Sequence, residues 1–116
     1  MFSSALHELF GGRAAEAVLL HLFHHGETHG RAVARDFGVS LVSVQRQLER
    51  FERSGTLVRK PQGRTLVFSW NPKSRLADRL RDLVAVVHEG MSAEAKEILF
   101  KYASWYSALI AACRRM

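Results

Sequence analysis

The 116-residue chain has a single cysteine, Cys113, and only two prolines. One thiol excludes an internal disulfide framework and suits a reducing compartment. No apolar stretch approaches the roughly 20 residues that a membrane-spanning helix needs. Residues 1–10 carry His7 and Glu8 where a signal peptide would have a basic start and an apolar run. A cytoplasmic location with no membrane partner is therefore expected. Patterns of catalysis are missing as well: there is no Ser/His/Asp constellation, no paired-carboxylate motif, and Gly11-Gly12 is too short to cradle a phosphate. Acidic residues are in deficit, 11 against 17 Lys and Arg, which leaves a formal charge of +6. No internal repeat or low-complexity tract appears, and 47% hydrophobic residues suit one compact unit.

The most specific pattern lies between residues 28 and 70. Thr28 is placed to cap a helix whose apolar positions Val33, Ala34 and Phe37 recur at helical spacing, and Gly38 supplies a left-handed end. Val39 can then turn back into the core. Ser40 is a helix cap, and Val44, Leu48 and Phe51 at i, i+4 and i+7 form one buried stripe on the helix that follows. Its first turns and outer face carry Leu41, Val42, Ser43, Gln45, Arg46, Glu49 and Arg50. In a helix-turn-helix this is the surface that reaches base edges in the major groove. Arg makes bidentate contacts to guanine, Gln to adenine, and Val packs on a thymine methyl. A polar outer face is also the default of any surface helix, so this helix alone leaves both readings open.

The next segment favours DNA. Ser54-Gly55 ends the helix, Thr56–Lys60 and Arg64–Trp70 read as strands, and Pro61-Gln62-Gly63 reads as the turn between them. Arg59, Lys60 and Arg64 are expected at the tip of this hairpin, where cations can lie along phosphates or in the minor groove. From Arg31 to Arg64 eight basic side chains meet three acidic ones, so most of the net charge is concentrated there. Such a basic face implies steep salt dependence of DNA affinity.

The order Leu9-Phe10-Gly11-Gly12-Arg13, a helix, the run from Val39 through Ser54-Gly55 to Val58, and the basic hairpin resembles winged helix-turn-helix regulators of the ArsR/MarR-like kind. The likeness covers about residues 9 to 72. The Leu-Phe-Gly opening and the Trp70-Asn71-Pro72 ending look like small winged-helix proteins often encoded beside nucleotidyltransferases. The resemblance implies a dimeric DNA-binding transcription factor whose second motif helix enters the major groove. The expected fold is mainly α with a small β-hairpin wing: a winged helix-turn-helix over residues 1–72, with additional C-terminal dimerisation helices over residues 73–116.

Those last helices exceed what a minimal DNA-binding domain requires. Leu76, Leu80, Leu83, Val84 and Val87 have helical spacing from Ser74 to His88, and Gly90 breaks the run. Ser92 caps a further expected helix, where Ile98, Leu99, Tyr102, Trp105, Tyr106, Leu109, Ile110 and Cys113 cover a broad apolar face. Aromatic-rich stripes of this kind serve either a helix lying across its own core or an interface between subunits. The second is favoured, because a two-fold homodimer can read a palindromic operator in double-stranded DNA. The function expected is thus a dimeric repressor. The alternative is a winged-helix interaction module that holds a partner enzyme or toxin.

The first long helix, about residues 13–25, contains a histidine cluster. His21, His24, His25 and nearby His29 offer imidazoles at spacings that hold transition metals, with Glu27 the only carboxylate close in sequence. Histidines near a helix C-terminus are favoured by the dipole alone. Without cysteine or further ligands, the expectation is that no metal or other cofactor is required.

Overall fold

The computed structural model describes residues 4–91. Its elements run α1 Ala5–Phe10, α2 Arg13–His25, β1 Glu27–Thr28, α3 Gly30–Phe37, α4 Leu41–Arg53, β2 Leu57–Gln62, β3 Thr65–Trp70 and α5 Arg75–Glu89. Mainly helical architecture with a small antiparallel sheet agrees with the expected fold class. The expected helix from Ser92, with Ile98, Leu99, Tyr102, Trp105, Tyr106, Leu109, Ile110 and Cys113, lies outside the described residues.

Helix α2 is the central element. Ala15 through Leu22 is buried without a break, Glu16 and His21 included, because neighbours cover this helix on several sides: it contacts α1, α3, α4 and α5. Burying Glu16 requires partners. Its carboxylate accepts from the Ser4 hydroxyl at 2.7 Å and from the Ser4 backbone N–H, which ties the cap of α1 to α2.

The α3–α4 unit follows the sequence pattern with one change of cap. Gly38 takes φ 64° and ψ 37°, a left-handed residue that ends α3, and its N–H donates to the Ala34 carbonyl. Ser40 caps α4 by accepting from the Ser43 N–H at 3.4 Å. Val44, Leu48 and Phe51 are buried as the 3.6-residue period requires. The cap of α3, however, is His29 rather than Thr28: His29 Nδ1 accepts from the Ala32 N–H at 3.3 Å. Thr28 is drawn instead into β1, its hydroxyl buried against His21.

The hairpin is also part of a larger sheet. Strand order is β1-β3-β2, all antiparallel, with Thr28 opposite Phe68 and Gln62 opposite Thr65. A third strand therefore joins the expected two. Pro61 and Gln62 belong to β2 and not to the turn, which falls on Gly63-Arg64. Proline is tolerated there because β2 is an edge strand. The base of the hairpin is fastened by Asn71, whose backbone N–H donates to the Thr56 carbonyl and whose Nδ2 donates to the Gly55 carbonyl, both at 2.9 Å.

Helix α5 begins at its Ser74 cap and packs on α2 and α1 through buried Ala77 and Val84, with Leu80 and Val87 partly covered. Leu76 and Leu83, expected on the same stripe, are instead exposed, as is Val86. No helix among the described residues is long and apolar enough to cross a membrane.

Candidate nucleic-acid interface

Helix α4 presents one continuous outward face. Val42, Gln45, Arg46, Glu49 and Arg50 are all exposed on the side opposite Val44, Leu48 and Phe51. Gln45 and Arg46 make no hydrogen bond or ion pair within the described residues. Arg50 donates to Gln47 Oε1 at 3.2 Å and lies 5.8 Å from the Phe51 ring centroid, contacts at the surface that leave its guanidinium within reach of solvent. Val42 is a large apolar side chain left 57% exposed on this face.

The remaining α4 candidates serve its geometry. Ser40 is the cap, and Ser43 supplies the N–H it accepts. Leu41 is half-buried and faces α3: a Cβ built on Gly30 would lie 3.3 Å from Leu41 Cδ1. The absence of a side chain at Gly30 thus permits α3 and α4 to cross closely. The turn between them is held from outside by Arg13, whose guanidinium donates to the Phe37 carbonyl at 2.9 Å. That hydrogen bond across 24 residues leaves no periodic trace in the sequence.

The basic side chains of the wing divide into two roles. Lys60 and Arg64 are exposed towards its end, with Arg64 in the turn itself. Arg59 is not at the tip. It pairs with Phe68 in the strand register, and its Nε lies 2.9 Å from Glu52 Oε2 on α4. This ion pair links the wing to the candidate reading helix while leaving Arg59 half exposed.

A second constellation lies behind the motif, between α2 and α3. His21 is buried, with Nδ1 2.7 Å from Thr28 Oγ1 and Nε2 3.0 Å from Asp36 Oδ2. Arg35 Nε is 3.6 Å from the other Asp36 oxygen. The His25 ring is tilted by 40° to that of His21 with centroids 4.3 Å apart, and His24 meets His25 edge-on at 4.7 Å. Burial, then repulsion from His21 and His24, lowers the pKa of His25 to about 4 despite the opposing pull of Asp36. His24 is lowered by burial, then by His21 and His88, and His29 by burial, then chiefly by His21 and Arg35. Of the four histidines grouped by sequence, the structure brings together His21 and His25 with Asp36. The relevant carboxylate is Asp36 and not the exposed Glu27, because α3 folds back along α2.

A scan against protein-family models gives no match, and no curated protein matches in sequence. Solved structures do match. The chain is similar to the YusO protein of Bacillus subtilis at 19% identity, covering 95% of this chain and 80% of that one with a TM-score of 0.56. Transcriptional regulator Tm0710 of Thermotoga maritima aligns at 18% identity over 96% and 82% of the two chains, TM-score 0.54. Reduced AbfR, solved bound to DNA, aligns at 20% identity over 91% and 78%, TM-score 0.54. The chain therefore has the winged-helix fold of these solved structures, and the likenesses do not single out the ArsR branch.

Proposed function

We propose that this chain is a sequence-specific DNA-binding transcriptional regulator, acting as a dimeric repressor at a palindromic operator. The observation that carries the reading is the outer face of α4, where Val42, Gln45, Arg46 and Arg50 stand exposed beside a wing that adds Lys60 and Arg64. This face has the donors and the methyl groups that read base edges, and the wing has the cations that hold phosphate. A fold neighbour solved on DNA, AbfR, supports the same use of the fold. The chain acts by binding rather than by catalysis, and its place is the cytoplasm.

A second copy of the chain completes the reader. Leu76, Leu83 and Val86 on α5 and Leu9 on α1 are exposed large apolar side chains, and residues 98–113 add the apolar pattern described above. Two subunits related by a two-fold axis would set two α4 helices about one DNA turn apart, roughly 34 Å. The apolar surface is assigned to this second copy in preference to a partner enzyme or toxin, because the basic reading face has no use in a pure scaffold.

The test is a mobility-shift titration on sequences selected from a random DNA pool. The double substitution Arg46→Ala, Arg50→Ala should abolish selective binding while circular dichroism remains that of the wild type, since both side chains are exposed. Selective binding equal to the wild type in that variant would overturn the assignment.

A further inference from the structure

We infer that His21, His25 and Asp36 form a binding site for a divalent transition ion of the zinc class, bridging α2 and α3. One ligand atom from each residue lies within 4.8 Å of the others, close enough that small side-chain movements gather them round a single ion with nitrogen and oxygen ligands about 2.0–2.2 Å away. His21 and His25 are i and i+4 on α2 and so share a face. Asp36 arrives from the last turn of α3.

The surroundings fit ligation in two respects. Thr28 Oγ1 holds His21 Nδ1 at 2.7 Å, the outer contact that fixes the ring of a metal-bound histidine. A hydroxyl both donates and accepts, so Thr28 can serve the tautomer with its proton on Nδ1, which turns the Nε2 lone pair towards the ion. Arg35 lies near Asp36 Oδ1 and leaves Oδ2, 3.0 Å from His21 Nε2, as the ligating oxygen. With two imidazoles and one carboxylate, the donor set suits zinc, cobalt or nickel rather than calcium or magnesium.

Asp36 stands two residues before Gly38, so an ion here braces α3 against α2 immediately before the turn. Any consequence for DNA affinity rests on the preceding functional reading. The test is therefore made without DNA, so that the two can fail separately. Full-length protein stripped with chelator is titrated with Co²⁺, followed by its d–d absorption, and with Zn²⁺ in calorimetry. A single equivalent per chain should bind. His25→Ala, at a half-buried position, should weaken binding at least about tenfold, the lower end of the loss known even for outer-shell partners. Asp36→Asn should do the same, whereas His24→Ala should leave the affinity unchanged. Each variant is checked for wild-type circular dichroism. Failure of the wild type to bind, or wild-type affinity in folded His25→Ala, would overturn the proposal.

Discussion

Single side chains in this molecule are often placed by contacts that their local sequence does not announce. His29 caps α3 through Nδ1, which accepts the Ala32 N–H only while that nitrogen is unprotonated. Burial and the neighbouring His21 and Arg35 lower its pKa from 6.5. The unfolded chain consequently binds this proton more readily than the folded one. Stability from His29 is therefore present above pH 6.5 and is lost as pH falls below that value towards the lowered folded pKa. Asn at the same position caps a helix without titrating. His29→Asn should hold the melting temperature at pH 7.5 and reduce its fall between pH 7.5 and 5, measured by thermal denaturation. An unchanged acid slope would mean that the cap is not what His29 contributes. Thr28 is the usual residue type for this cap, yet its hydroxyl is already committed to His21.

At the level of elements, the wing works as a lever fastened at its base. Asn71 ties β3 to the end of α4, and Arg59 ties β2 to Glu52, so the cations further out move with the reading helix. Replacing Lys60 and Arg64 by Ala should weaken binding to all DNA sequences alike. It should also shallow the log–log salt dependence by about 0.9 for each phosphate that is no longer neutralised. Adding Arg59→Ala should, beyond this, reduce discrimination between sequences, because it removes one of the links that hold the wing against α4. Fluorescence anisotropy on selected and random duplexes over a salt series separates the two effects. The elements themselves differed in how legible they were. Val44, Leu48 and Phe51 disclose α4 because helical period and burial coincide there, and Gly38-Val39-Ser40 discloses the turn because its backbone needs a left-handed residue and then a cap. β1 is only Glu27–Thr28, too short for any period, and exists through pairing with Ser69 and Phe68. Pro61 suggests a turn by residue preference, while its edge position lets the strand continue. Asp36 and Arg13 meet their partners across 15 and 24 residues, distances over which a linear pattern carries no information.

For the whole molecule, the decisive matter is how many reading heads engage DNA together. One α4 helix and one wing present few base contacts, each worth roughly 1–3 kcal/mol of discrimination. Linking two such heads makes the second engagement intramolecular and raises the effective affinity by about 10²–10⁴. The exposed apolar positions Leu9, Leu76, Leu83 and Val86 belong to α1 and α5 and not to α4, so association through them would not consume the α4 side chains proposed to read DNA. If the residues beyond 91 hold the dimer, a chain truncated before Ser92 should sediment as a monomer while keeping the circular dichroism of its helices. It should bind a half-site as the intact chain does under conditions where that chain is monomeric, yet lack the gain that a palindrome gives over a half-site. The double substitution Leu83→Glu, Val86→Glu in the intact chain then asks whether α5 shares the interface. A lowered association constant in sedimentation assigns it that part. A truncated chain that still sediments as a dimer would contradict a dimer held by the C-terminal segment and move the interface onto α1 and α5 alone.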